Sequence, residues 1–205
     1  MIITSEGQRH LGAVVGTTEY KNRFIDSKIK GLVEDVIELA KIAEEEPQLA
    51  LTEYTRGLCR RWTYIQRTVS GIAENFQPLE NAICDFLIPA LLGRPASPQD
   101  RAIIALPVRF GGLGIQDPTK TADIEFDASV RVTKPLTNII YEQQMTLSGL
   151  DYHQVNLTKA EIQLEKTARF SQNLKDILDE ADPLTQRSLE AAKNRELTHG
   201  LHVYQ

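Results

Sequence analysis

The chain has 205 residues, 41% hydrophobic and 25% charged, the make-up of a globular protein large enough to bury a core. Its formal net charge of −5 excludes a generic basic protein that coats nucleic acid, so any such contact must rest on a local patch. Cys59 and Cys84 form no CxxC or Cys/His ligand set, and no apolar run approaches the roughly 18 residues of a membrane span. With no secretory signal, the expectation is an intracellular protein, cytoplasmic or nuclear, with reduced thiols and no membrane contact.

Met1-Ile2-Ile3 and Leu11 to Val15 predict two short strands around a turn at Thr4-Ser5-Glu6-Gly7. Two strands alone are marginally stable, so this hairpin needs a sheet to lean on. A first helix is predicted from Tyr20 to Glu46, with Ile25, Ile29, Leu32, Val33, Val36, Ile37 and Ala40 inward, ended by Pro47. A second is predicted over Gln48 to Asn75, with the apolar stripe Leu51, Tyr54, Leu58, Trp62, Ile65, Val69 and Ile72. Leu79, Ile83, Phe86, Leu87, Ala90 and Leu91 mark a third, closed by Gly93 and Pro95.

Ser97-Pro98-Gln99-Asp100 is a cap followed by proline, opening a short helix to Leu106. A glycine-rich loop, Pro107 to Gly114, follows. Asp117-Pro118 starts another helix, predicted to break near Pro135 and resume to Leu147. Ser148 to Asn156 reads as a linker, and Thr158-Lys159-Ala160-Glu161 as the capping box of a helix to Glu180. Asp182-Pro183 caps a last helix, whose tail frays from Thr198. The fold class expected is therefore mainly α: a helical bundle with a small N-terminal β-hairpin and a C-terminal helical extension.

The second helix carries the one distinctive charge pattern. At about 100° per residue, Thr52, Arg56, Arg60, Thr63, Arg67 and Ser70 fall within about 80° of one another, opposite the apolar stripe, with Arg61 on the flank. From Tyr54 to Ala73 there are four arginines and no Asp or Glu. Guanidinium forks and hydroxyls along one face suit phosphate tracking. A solvated arginine face without a partner fits the same pattern. Tyr54 and Trp62 lie on the apolar side and read as core packing.

Three separated stretches resemble non-LTR, LINE-like retroelement reverse transcriptases. Gly7-Gln8-Arg9-His10-Leu11-Gly12 is similar to the primer-grip hairpin. Gly57-Leu58-Cys59-Arg60-Arg61-Trp62-Thr63-Tyr64, with Arg67-Thr68, looks like the thumb helix. Leu106-Pro107 through Gly111-Gly112-Leu113-Gly114-Ile115 is similar to the loop that follows the thumb. Together they cover residues 7–135, in the family's order. Thr158 to Leu197 resembles the helical linker that in related elements precedes a zinc knuckle, although His153, His199 and His202 have no cysteine partners here.

The resemblance implies a primer-grip-like hairpin over residues 1–18, a helical thumb and connection over 19–147, and a linker with helical extension over 148–205. It implies that Arg9 and His10 contact primer phosphates and that Gly12 lets the hairpin backbone approach the primer strand. With the arginine face, the nucleic-acid-binding candidates are Arg9, His10, Gly12, Arg56, Arg60, Arg61, Thr63 and Arg67, and the partner is a primer–template RNA–DNA duplex. Read without the resemblance, Gly7 and Gly12 serve tight-turn geometry, and the three glycines of the loop form a structural turn, since their spacing is neither GxGxxG nor Walker.

Polymerisation in that family needs paired aspartates holding magnesium ions, and no Asp-Asp pair occurs anywhere in the chain. The expectation is a non-catalytic thumb fragment with no cofactor of its own, its palm domain lying upstream and Met1 an internal methionine. The alternative reading is a stand-alone helical protein–protein interaction module without nucleic-acid binding.

Overall fold

The computed structural model describes residues 6–143 and 149–201, and the side chains of most of them. The chain is mainly helical, with a small antiparallel hairpin at the start and long helices at the end. Strand β1 (Gly7–His10) pairs with β2 (Ala13–Gly16) in the register Gly7↔Gly16, Gln8↔Val15, Arg9↔Val14 and His10↔Ala13. The hairpin thus turns at Leu11-Gly12, not at Thr4–Gly7, and the strand expected at Met1–Ile3 lies outside the described residues. Both turn residues have positive φ, 48° at Leu11 and 87° at Gly12, the I′ geometry whose twist matches that of the flanking strands. In place of a larger sheet the hairpin leans on helices: Val14 is buried in the main core, with Ala13 and Tyr20 packed against it.

Helix α1 (Thr18–Glu45) begins where the Thr17 hydroxyl accepts from the Tyr20 amide, and it buries Ile25, Ile29, Leu32, Val36 and Ala40 as the spacing requires. The second predicted helix is not continuous. It consists of α2 (Pro47–Glu53), a wide π turn (Tyr54–Leu58) and α3 (Cys59–Thr68). It ends at Thr68 because Val69 is extended (φ −128°, ψ 126°), short of Asn75. Its apolar stripe nevertheless reaches the core, with Tyr54, Trp62, Ile65, Val69 and Ile72 buried.

A second π turn, Ile83–Leu87, separates α4 (Gln77–Ala82) from α5 (Ile88–Leu92) and lies just ahead of Pro89, which has no N–H to give the preceding turn. The wide turn rotates Phe86 outward, leaving it 49% exposed where regular periodicity puts it inside.

Helix α6 (Pro98–Ala105) has the expected start: Ser97 and Asp100 form a reciprocal capping box. Helix α7 (Pro118–Tyr141) runs straight through Pro135 instead of breaking there. One helical hydrogen bond is lost there, and the helix is carried on by packing along α8 (Gly149–Glu180), beside which a solvent-exposed, two-pronged Arg131–Glu165 ion pair forms at 2.7 and 2.9 Å. α8 also covers the segment read as a linker. Thr158, expected as its cap, sits inside the helix at 9% exposure. The partly buried apolar positions Val155 and Ile162 lie one heptad apart on either side of it. Helix α9 (Pro183–Leu201) follows Asp182 as expected; where fraying is expected from Thr198 the backbone is helical to Leu201, and the side chains there lie outside the described residues.

The main core lies between α1, α3, the α4–α5 segment and the start of α7. A smaller cluster joins Leu106, at the end of α6, and Phe110 of the glycine-rich loop to Leu174 and Ile177 of α8 and Leu189 of α9. That loop is therefore a structural joint, as its residue spacing suggests without the resemblance.

Candidate nucleic-acid interface

The hairpin and the arginine helix form one surface. The Tyr64 hydroxyl donates to the Leu11 carbonyl, and Gly12 sits over the same ring, where a Cβ would lie 3.4 Å from Cε1. This contact brings the hairpin tip beside α3, where Arg60 and Arg67 are four and three residues from Tyr64 along the helix. Leu11 is 82% exposed at the tip, and His10 is exposed beside it. Arg9 is exposed too, its guanidinium 5.8 Å from the Phe24 ring centre, with the Lys28 ammonium 5.7 Å from the same ring.

The arginine face divides into two classes. Arg56 and Arg60 are exposed and make no ion pair among the described residues. Arg61 is paired with Asp35 of α1, both carboxylate and guanidinium being solvated, so that pair is worth under about 1 kcal/mol. Arg67 donates from Nε to Glu125 of α7 at 2.8 Å. Glu125 is only 14% exposed and also accepts from Lys166 of α8. Burial pushes the Glu125 carboxyl up, but the hydrogen bonds and charges of Lys166 and Arg67 outweigh it, holding its pKa below the usual value. Thr63 is half-buried, and its hydroxyl donates to the Cys59 carbonyl at 2.8 Å.

The segment that carries these arginines is also not one regular helix. The π turn over Tyr54–Leu58 adds a residue to one turn, so Arg56 is offset from the line through Arg60 and Arg67, and Ser70 is beyond the helix. Sequence reasoning passed over Tyr64, Glu125 and Lys166. Tyr64 carries a local signal, an aromatic with a polar tip among arginines. Glu125 and Lys166 carry none, because they reach α3 only through tertiary packing.

No family model matches the chain, and comparison with curated proteins and with solved structures finds no match. Among the described residues, no cluster of three or more His, Cys, Asp or Glu is placed to hold a metal ion, and no helix is long and apolar enough to cross a membrane.

Proposed function

We propose that this chain is the thumb part of a non-LTR retroelement reverse transcriptase and that it grips a primer–template RNA–DNA duplex. The observation that supports this most is the seating of the hairpin tip on Tyr64, which brings Leu11 and Gly12 against the helix that carries Arg60 and Arg67, with exposed Arg9 and His10 in the adjoining strand. Arg56 and Arg60 offer complete guanidinium forks to phosphates. Arg61 is released from Asp35 at small cost, whereas Arg67 is tied to a partly buried carboxylate and contributes chiefly through its field. In this reading a palm domain supplies the paired aspartates and magnesium, and the thumb supplies hold.

The test is a salt titration with an RNA–DNA duplex. Wild-type affinity falls steeply with salt, and Arg56→Glu with Arg60→Glu makes the log–log slope shallower by about 2. Duplex binding that is undetectable at low salt, or indifferent to the two substitutions, rules the reading out.

A second reading, a protein interaction module, is favoured by one observation. Ile140 and Tyr141 near the end of α7, and Tyr152 and Leu164 on α8, are exposed apolar side chains on neighbouring helices. A chain without duplex affinity that self-associates through these helices, read by light scattering, would support it.

A further inference from the structure

Beside the duplex-facing surface lies an open groove of about 310 Å3, walled by Arg60, Thr63 and Arg67 of α3, Gln116, Glu125 of α7 and Lys166 of α8. Its floor is the buried pair Tyr54 and Trp62, whose rings meet edge-on with centroids 5.6 Å apart. Three cations face one carboxylate here, in a protein whose overall charge is −5. A low-dielectric floor under like charges focuses their field into the groove.

The donors are already arranged. Glu125 spends each oxygen on one cation: Oε2 accepts from Arg67 Nε, and Oε1 from Lys166 Nζ. The terminal nitrogens of Arg67, the remaining Lys166 protons and the whole Arg60 guanidinium make no hydrogen bond among the described residues. The neutral groups offer less. Thr63 gives its proton to the Cys59 carbonyl, and Gln66 gives its amide protons to the Pro118 carbonyl and the Thr121 hydroxyl. What the groove presents is therefore cationic donors from two helices, two of them pinned by a mostly buried carboxylate. Pinning lowers the side-chain entropy lost when a ligand is held.

We propose that this groove binds a terminal phosphoryl group. A tetrahedral anion accepts from three cations approaching from different directions, where a planar carboxylate is satisfied by one fork. The group belongs either to the end of a nucleic-acid strand or to a free phosphate compound; the chemistry is shared. The site shares Arg60, Thr63 and Arg67 with the face assigned to the duplex but adds Lys166 and Gln116, which lie off it, so the two readings are separable by experiment.

Trp62 is the only tryptophan of the chain and lies in the groove, so its fluorescence reports occupancy directly. Inorganic pyrophosphate at low salt is expected to give a saturable change in wild type. Lys166→Gln weakens it about tenfold, the loss of one charge-assisted hydrogen bond, and Lys166→Arg restores most of it. Arg60→Gln, at an exposed position that the fold does not need, weakens it as well. Arg56→Glu, outside the groove, leaves it unchanged. An oligonucleotide with a 5′-phosphate that binds better than the same strand without it assigns the group to nucleic acid; a response to pyrophosphate alone assigns it to a free compound.

No saturable response to either probe overturns the site, as does equal affinity of wild type and folded Lys166→Gln. Loss of the pyrophosphate response with intact duplex binding in Lys166→Gln, and the reverse in Arg56→Glu, is the expected pattern. Duplex binding that is absent from wild type while the pyrophosphate response remains sinks the thumb reading alone.

Discussion

Tyr64 and Leu11, 53 residues apart in the chain, meet in a hydrogen bond from the phenol to the hairpin-tip carbonyl. Few other contacts hold the tip, since Leu11 itself faces solvent and the two strands have no third neighbour among the described residues. Tyr64→Phe is expected to cost about 1 kcal/mol, concentrated in the hairpin, and to speed amide exchange at Ala13 and Val15, which lie in the hydrogen-bonded pairs of the ladder, more than in α1. Gly12→Val adds a left-handed backbone penalty of about 1–2 kcal/mol and pushes a branched side chain at the Tyr64 ring. Hydrogen exchange in the hairpin that is unchanged by Tyr64→Phe would show that the tip is held by something else.

The glycine-rich loop gives a sharper contrast. A Cβ on Gly112 would lie 2.1 Å from the Leu106 carbonyl oxygen and 2.4 Å from that of Ile103, both backbone atoms that cannot move aside cheaply. A Cβ on Gly114 meets nothing within 4 Å, although its φ is +75°. Gly112→Ala is expected to destabilise by about 3 kcal/mol or more, Gly114→Ala by about 1–2 kcal/mol. Urea unfolding curves of the two variants measure the difference; equal midpoints would contradict the packing described for this joint.

Much of the fold was legible because it depends on short-range spacing. The inward faces of α1 and α3 follow from apolar residues three and four apart, and the α6 cap from Ser97 and Asp100. What the sequence concealed are departures from regular periodicity and competition by tertiary contacts. The π turns at Tyr54–Leu58 and Ile83–Leu87 break the 3.6-residue assumption, and with it the places given to Arg56 and Phe86. A Leu-Gly turn with leucine left-handed is not a recognisable hairpin signal, so the register was set at the wrong turn. Pro135 and the Thr158 capping box lost to the packing of α7 on α8.

The candidate site was legible residue by residue but not as pairs. Arg61 finds Asp35 at a separation of 26 residues and Arg67 finds Glu125 at 58, distances at which helical spacing carries no information. Among the described residues, Arg56 and Arg60 make no ion pair, whereas Arg61 and Arg67 are paired with carboxylates from other helices, outside the acid-free stretch.

A mostly buried ion pair ties α6 to α4. Arg101 donates from Nε and a terminal nitrogen to both Glu80 oxygens, at 2.7 and 2.9 Å, and from its other terminal nitrogen to the Ile115 carbonyl at 2.7 Å. The two side chains are 16% and 10% exposed. Arg101→Met strands the Glu80 carboxylate in a dry site and is expected to cost about 3–5 kcal/mol. Adding Glu80→Gln to that variant removes the stranded charge and recovers part of the loss. A double variant no more stable than Arg101→Met in urea would show that charge burial is not the source of the cost.

Cys84 reports the same cluster through its chemistry. Burial, then the hydrogen bond its thiol gives Glu80 at 3.1 Å, push the Cys84 pKa up to about 11. The thiolate is the reactive form, so alkylation of native Cys84 should stay slow through pH 9 and climb as pH approaches 11. The linkage sign follows from a folded value above the unfolded one of about 8.5. The stabilising contribution is complete below the unfolded pKa and is lost as pH rises through the folded value. Glu80→Gln removes the charge that disfavours the thiolate, so Cys84 in that variant should react faster than wild type at pH 9. Mass spectrometry of iodoacetamide-treated protein reads each cysteine separately. Native Cys84 labelled at pH 8 as fast as in the urea-unfolded chain would remove the raised pKa, and with it the hydrogen bond to Glu80 as its partial cause.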